Sequence, residues 1–481
     1  MAERLDVDVC VIGAGSGGLS VAAGASQLGQ KVVLIERAKM GGDCLNYGCV
    51  PSKSLIAAGR AAAAIRAARR FGVTAGEPAV DPRALHDHIR GVIAAIAPND
   101  SVARFTGLGV RVIQAAARFV NEDEVEAGDV RVRARRFVVA TGSSAAVPPI
   151  PGLAGQGGGP GTPYLTNETI FDLDKRPDHL LVIGGGPIGC EIAQAYRSLG
   201  TAVTVLEMAS ILPKDDPELV DFVRRRMRRD GVEILEGAKI KRVEGEAGRL
   251  AAIVEHDGRE LRMAGTHLLL ATGRKPNVAG LNLEAAGVRA SPKGIEVDAR
   301  LRTANRKIYA LGDAIGGYQF THMAGYHAGI VIKNALFRLP AKVDHSAVPW
   351  VTYTDPELAN VGLSESEARR VHGDGIRLAR WSFHENDRAQ AERDTEGLIK
   401  VVADRRGRVL GAGIVGPNAG ELLLTWSLAI AKKAKLKDIA GLIAPYPTLS
   451  EVSKRAAGSF YMRQLFSPRT RRMVRFLARF G

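Results

Sequence analysis

One pattern occurs twice in this chain at a fixed offset, and it limits what the chain can fold into more than any other feature. Gly13-Ala14-Gly15-Ser16-Gly17-Gly18 follows the apolar run Val7 to Ile12 and precedes the small-residue stretch Leu19 to Leu28. A second apolar run, Lys31 to Ile35, then ends in Glu36. Gly184-Gly185-Gly186-Pro187-Ile188-Gly189 follows Leu180 to Ile183, and the next run, Ala202 to Leu206, ends in Glu207. Gly184 lies 171 positions after Gly13, and the same 171 separates Gly186 from Gly15, Gly189 from Gly18 and Glu207 from Glu36. A lone G-x-G-x-x-G is a weak signal. Set in strand, turn, helix, strand and acid it is a strong one, because the glycines let backbone amides approach a pyrophosphate and the acid takes ribose hydroxyls. The chain is therefore expected to bind two dinucleotides on two Rossmann-like units.

Between the two copies lies Gly41-Gly42-Asp43-Cys44-Leu45-Asn46-Tyr47-Gly48-Cys49-Val50-Pro51-Ser52-Lys53. Two cysteines five positions apart can meet if the chain bends back, and Gly41, Gly42 and Gly48 allow unusual backbone angles. Pro51 suits the first turn of a helix, which puts Cys49 at that helix's positive end. A thiolate is favoured there, the form that attacks disulfides, binds soft metals or donates charge to a flavin. A structural disulfide fits poorly with four cysteines in 481 residues. A zinc site would need two further ligands at short spacing, and none follows, so no metal-ligating residues are assigned. The pair reads as a redox motif. Two dinucleotides and a redox dithiol suggest FAD, a nicotinamide and the dithiol in electronic series. FAD is assigned to the first fingerprint, which the cysteines follow closely, and the nicotinamide to the second. No Arg or Lys occurs from Thr201 to Pro213 to hold a 2′-phosphate beside Glu207, which predicts NADH over NADPH.

No apolar run reaches the roughly 18 residues of a membrane span, and the first residues lack the apolar core of a signal peptide. These readings predict a cytoplasmic protein. The net charge of +15 comes from scattered arginines without a nucleic-acid motif, so no specific nucleic-acid partner is expected. Helical stretches are expected at Leu55 to Arg70 and near Leu85 to Phe105, with short strands near Val110 and Val130. A strand Phe137 to Ala140 closes on Thr141-Gly142, and Ala271-Thr272-Gly273 repeats that ending. Pro148 to Pro163, rich in Pro and Gly, reads as a linker. Ile308 to Gly312-Asp313 reads as a strand ending in Gly-Asp, and Thr321-His322-Met323-Ala324 as the start of a helix aimed at a flavin.

Together these residues resemble the pyridine nucleotide–disulfide oxidoreductases, the class I group that includes mercuric reductase and dihydrolipoamide dehydrogenase. The resemblance runs from Asp6 to about Tyr461, and Gly-Gly-x-Cys-Leu-Asn-x-Gly-Cys-x-Pro-Ser-Lys is specific to the group. It implies an α/β fold with two Rossmann-like nucleotide-binding domains, for FAD and NAD, plus an α+β C-terminal dimerisation domain, assembled as a homodimer. The expected division is an FAD domain at 1–152, an NAD(P) domain at 153–277, a central FAD segment at 278–345, an interface domain at 346–466 and a basic tail at 467–481. The resemblance makes Cys49 the charge-transfer thiolate and Cys44 the interchange thiol, and pairs Lys53 with Glu191 near the flavin. It places Gly13, Gly15, Gly18, Glu36, Gly42, Lys53, Thr141, Gly142, Gly312, Asp313, Met323 and Ala324 at FAD, and Gly184, Gly186, Gly189, Glu207 and Gly273 at NAD. Cys10 and Cys190 match no redox position.

One departure bears on substrate. Disulfide-reducing relatives carry His-Pro-Thr followed by Glu near the C-terminus, the His serving the other subunit's dithiol. Here the stretch is Pro445-Tyr446-Pro447-Thr448, with Glu451 after it. A phenol of pKa near 10 is a poor base beside an imidazole near 6.5. Mercuric reductases also have Tyr there, but carry two adjacent cysteines at the C-terminus, and no cysteine follows Cys190 in this chain. The reading is electron flow from NAD(P)H through FAD to the Cys44–Cys49 disulfide and on to a thiol, disulfide or thiol-bound metal. The alternatives are dihydrolipoamide oxidation, or electron delivery to a quinone or metal at a membrane surface. The tail, 463–481, holds six arginines and no Asp or Glu. Either it packs on the interface domain or it makes a weak contact with anionic membrane.

Overall fold

The computed structural model describes residues 3–154 and 161–480. Most of the Gly-rich centre of the expected linker, 155–160, lies outside the described residues.

The first sheet is built on the strand Glu3–Ile12, paired in parallel with Val32–Glu36 on one side and Val130–Val139 on the other. Val110–Gln114 extends it beyond Val32–Glu36, and Ile308–Ala310 joins Val130–Val139 from far along the chain. The helix Ser16–Gln27 covers one face. Both faces are buried: Val9, Val11, Leu34 and Val138 turn to one side, and Cys10, Ile12, Val33 and Phe137 to the other. That explains why these strands read as continuous apolar runs rather than alternating ones. Where the sequence suggested two short strands, near Val130 and at 137–140, there is one strand of ten residues. Its first part carries Arg131, Arg133, Arg135 and Arg136, and the antiparallel hairpin Ala117–Asn121 and Glu124–Ala127 pairs alongside Val130 to Arg133. The expected helix at 85–105 is likewise divided, into Pro82–Ile96, a 3₁₀ turn Ala97–Asp100 and Val102–Gly107. Pro98, which cannot donate to a helical carbonyl, sits at the break.

The second unit repeats the arrangement with His179–Ile183, Ala202–Glu207, Glu233–Glu236 and His267–Leu270, all parallel. A three-stranded antiparallel sheet over 239–265 covers its other face, an element the sequence reading did not foresee. The last unit is a five-stranded antiparallel sheet, ordered from Pro349–Thr352 through Glu357–Gly362, Val409–Gly416 and Leu398–Asp404 to Ile376–Ser382. Trp426 is fully buried against it and donates through Nε1 to Ser453 Oγ at 3.0 Å.

Two devices lock the units together. Strand Ser143–Ala145, just after Thr141-Gly142, pairs with Arg274–Pro276, just after Thr272-Gly273, so the first and second nucleotide units cross at their matching turns. Thr141 Oγ1 donates to Asn277 O and Thr272 Oγ1 to Ala146 O, both at 2.7 Å. Lys400 of the last sheet, only 5 % exposed, meets Asp216, Glu218 and Glu365 at 2.8, 2.9 and 2.6 Å. These carboxylates hold the Lys400 ammonium charged against the cost of its burial, pushing its pKa up.

Candidate active site

The two fingerprints agree in bonding as well as in spacing. Gly13 has φ +105° and Gly184 φ +109°, and a Cβ on either would lie 2.3 or 2.4 Å from the carbonyl oxygen of Ala140 or Ala271. A Cβ on Gly18 would lie 1.9 Å from Gly13 O, and one on Gly189 would lie 2.0 Å from Gly184 O. These third glycines therefore let the helix close on its strand, and neither lines the cleft. Glu36 accepts from Ala14 N at 2.6 Å and Ala38 N at 2.7 Å, while Glu207 accepts from Gly185 N at 2.6 Å and Ala209 N at 2.9 Å. The middle glycines differ from the others. Nothing lies within 4 Å of a Cβ on Gly186, and on Gly15 only Gly42 Cα is met, at 4.0 Å. Each leaves an open approach at a helix start, the cradle that a dinucleotide pyrophosphate requires.

Both cradles open into one cleft of about 1990 Å³. A single small-ligand site is typically about 300–1,000 Å³, so there is room for two dinucleotides end to end. Residues Thr141, Gly142, Gly273, Gly312, Asp313, Ala324, Glu36 and Glu207 line it; Met323 lies behind, buried. The protein's own residues thus fit FAD at the first cradle and a nicotinamide dinucleotide at the second.

The dithiol sits where the two halves of the cleft meet. The backbone turns at Gly41 (φ +85°) and Gly42 (φ +58°) into the short helix Gly42–Asn46, which carries Cys44. A Cβ on Gly42 would lie 2.7 Å from Gly15 Cα, so the redox loop rests on the first fingerprint itself. Gly48, at φ −122° and ψ −108°, lies outside the helical and extended regions. Space matters there too, since a Cβ would lie 2.8 Å from Asp43 Oδ2. The next helix, Cys49–Ala67, begins at the second cysteine with Pro51 in its first turn.

Cys44 and Cys49 are both free thiols, close enough that each shifts the other's ionisation. Cys49 also lies 3.4 Å from Thr321 Oγ1, at the start of helix Thr321–Ala335. The Cys44 thiol, then the Thr321 hydroxyl, then the Lys53 charge stabilise a Cys49 thiolate against partial burial, and its pKa falls to about 6. Cys44 moves the opposite way, held protonated by Cys49, by burial and by the nearby Asp43 carboxylate. Lys53 Nζ pairs with the buried Glu191 at 2.8 Å and lies 4.4 Å above the Tyr353 ring. Tyr353 N donates to the other Glu191 oxygen at 2.9 Å, which fixes that carboxylate.

A second network supports the redox helix. Arg274 bridges to Asp43 at 3.0 Å and donates to both Ser143 Oγ and Ser143 O at 2.8 Å. Ser143 Oγ in turn donates to Asp313 Oδ2 at 2.6 Å. Burial pushes the Asp313 carboxyl up from its ordinary value, opposed by Ser143 and Arg274. Gly312 N donates to His327 Nδ1 at 3.2 Å, and burial lowers that imidazole to about 4, so it serves as a neutral acceptor behind the turn.

Sequence reasoning missed Thr321 as a partner of Cys49, along with Arg274, Ser143, His327, Tyr353 and Asn167, whose amide donates to Asp43 Oδ1 at 2.9 Å. Their positions are set by crossings between units and carry no local spacing. Lys214 was missed by one residue: it lines the cleft just past the window in which no cation was found. Tyr446 and Glu451 do not line the cleft of this chain. Tyr446 is 71 % exposed and donates to Asp387 Oδ2 at 3.1 Å, and that carboxylate raises the phenol's pKa. Cys10 and Cys190 are fully buried, which pushes both thiols up and out of reach of redox partners.

Residues 7–328 match the pyridine nucleotide-disulphide oxidoreductase family, and residues 348–457 match that family's dimerisation domain. The chain belongs to this family. It is 35% identical over 458 residues to a mercuric reductase of Bacillus cereus, covering 95% of this chain and 72% of that protein. It is 33% identical to a dihydrolipoyl dehydrogenase of Bacillus subtilis (strain 168), covering 92% and 96%. The fold matches the HOCl-induced flavoprotein disulfide reductase RclA from Escherichia coli with a TM-score of 0.83 at 27% identity, over 94% of this chain and 99% of that one. The chain is thus a flavoprotein disulfide oxidoreductase of an FAD-dependent, NAD(P)H-using family. Among the described residues no helix is long and apolar enough to cross a membrane.

Proposed function

We propose that the enzyme is a homodimeric NADH-dependent reductase that delivers electrons, through the Cys44–Cys49 pair, to a soft metal ion held by thiolates. FAD, bound at Gly13, Gly15, Glu36 and Asp313, supplies the step that turns a hydride from the nicotinamide into an electron pair for the disulfide. NADH, one proton and the disulfide give NAD⁺ and the dithiol. The chain's own residues do the rest. Lys53, fixed by Glu191, places positive charge near Cys49, and Thr321 donates to its thiolate. Cys44 retains the proton and faces the incoming ligand as the exchanging thiol. Glu207 takes the ribose hydroxyls of NADH.

The observation that carries the acceptor assignment is Tyr446. It takes the place of a proton-shuttling His, and its phenol is tied to Asp387 with its pKa raised. Reduction of a disulfide or oxidation of a dithiol must move protons; reduction of a thiolate-bound metal ion need not. A mercuric reductase among the relatives, and the copper(II) complex determined for the RclA fold at 27% identity, support the same class. The test is NADH oxidation by the FAD-loaded enzyme with mercuric ion in excess small thiol, or with cupric ion and no added thiol, against lipoamide and oxidised glutathione. Metal-dependent turnover at least tenfold above either disulfide supports the proposal. Lipoamide turnover above both metals overturns it.

A further inference from the structure

The last helix, Pro468–Leu477, is tied down at its start. Ser467 caps it, Oγ accepting from Thr470 N at 3.2 Å, and Thr470 Oγ1 donates to Gln464 O at 2.8 Å. Those bonds set its direction off the end of helix Glu451–Leu465. None of its residues is buried. Met473, Val474, Phe476, Leu477 and Phe480 are each at least 55% exposed, with the two Phe rings edge to face at 5.2 Å. At roughly 3.6 residues per turn these five share one side of the axis, and Arg471, Arg472, Arg475 and Arg479 share the other, while Arg469, one turn before Met473, begins the apolar side.

Such a helix is unfinished. Ten residues fall short of the roughly 12–15 that an isolated helix needs in water, so it needs a surface to pack on. The match to the dimerisation domain ends at residue 457, before this segment begins. The missing surface must accept five large apolar side chains beside arginines that no Asp or Glu in 463–481 neutralises. An anionic lipid bilayer has that composition: phosphates at the level of the guanidinium groups, acyl chains just beneath.

We propose that Pro468–Leu477, continued through Phe480, is an interfacial anchor that docks the enzyme flat on anionic membrane. Each arginine near the surface multiplies the partition coefficient about fivefold at low salt. The apolar face supplies the remainder, and two copies in a homodimer engage together.

The test uses full-length FAD-loaded enzyme and sedimentation with vesicles of phosphatidylcholine, with or without phosphatidylglycerol. The expected result is binding to the phosphatidylglycerol vesicles only, weakening as salt rises. Removal of 468–481 should abolish it. Arg472→Gln with Arg475→Gln should weaken it about 25-fold, and Phe476→Glu with Phe480→Glu at least tenfold. All variants should keep the parent's NADH-dependent flavin reduction. No binding by the parent, or binding unchanged by the truncation, overturns the proposal. So does dissociation of the truncated enzyme into monomers at concentrations where the parent is dimeric, which would place the helix against a second copy. Duplex DNA binding that is lost in the same variants, with vesicles ignored, overturns it in favour of a nucleic-acid contact.

Discussion

Thr321→Val removes one hydroxyl from the dithiol while keeping the side chain's shape. That hydroxyl lies 3.4 Å from Cys49 Sγ, and it lowers the thiol pKa after the larger influence of Cys44. A hydrogen bond to a charged group contributes about 1.5–3 kcal/mol. Sulfur is a weak acceptor and Cys49 faces the open cleft, so a value just below that range, about 1.4 kcal/mol, is appropriate after solvent screening. One pKa unit is about 1.4 kcal/mol, so the variant should titrate near 7 where the parent titrates at about 6. The thiolate exists above its pKa and is lost as the pH falls through it. At pH 7 its fraction should drop from about 90% to about 50%, and well above pH 8 the two proteins should coincide. The assay is the long-wavelength thiolate-to-flavin absorbance of the two-electron-reduced enzyme, followed against pH under anaerobic conditions. Thr321→Ser should retain the parent midpoint. A Thr321→Val midpoint unmoved by more than about 0.3 unit, or moved downward, would refute the claim that this hydroxyl donates to the thiolate.

Cys49→Ala should abolish the long-wavelength band, whereas Cys44→Ala should show it without reduction at pH 8; an ordinary oxidised-flavin spectrum in Cys44→Ala would reverse the two roles. NADH should exceed NADPH about tenfold in kcat/KM, equivalent to roughly 1.4 kcal/mol, and Glu207→Gln should narrow that ratio; equal efficiencies would mean that Lys214 outweighs Glu207. Tyr446→His should raise dihydrolipoamide oxidation at least about tenfold, within the roughly 10²–10⁴-fold range of acid–base catalysis, and a neutral substitution would show that residue 446 does not reach a dithiol. Lys400→Met removes the buried cation shared by Asp216, Glu218 and Glu365, leaving Arg380 and Arg369 to pair with two of them, and should cost about 2–3 kcal/mol, read as a lower thermal midpoint; a midpoint within about one degree of the parent would show that the arginines and solvent replace it.

Local order along the chain determined a great deal. The duplicated fingerprint specified two strand–turn–helix units, because backbone approach and helix closure depend on glycines at fixed short spacing. The structure repeats that duplication down to the amides bonded by Glu36 and Glu207. The Cys44-to-Cys49 loop was equally legible, since its bend and its helix start lie within ten residues. What local spacing could not supply was the joining of distant segments. Glu191 reaches Lys53 across 138 positions, a pairing that came from the family resemblance and not from spacing, while Thr321 reaches Cys49 across 272 and Arg274 reaches Asp43 only because two turns cross as a small sheet. Gly48 shows the same limit in miniature: the sequence marks a glycine, but only packing reveals that Asp43 leaves no room for a Cβ. Periodicity likewise identified an amphipathic tail and could not say whether the chain buries it. Whether a face is covered depends on what else arrives there. Among the described residues, none buries this helix.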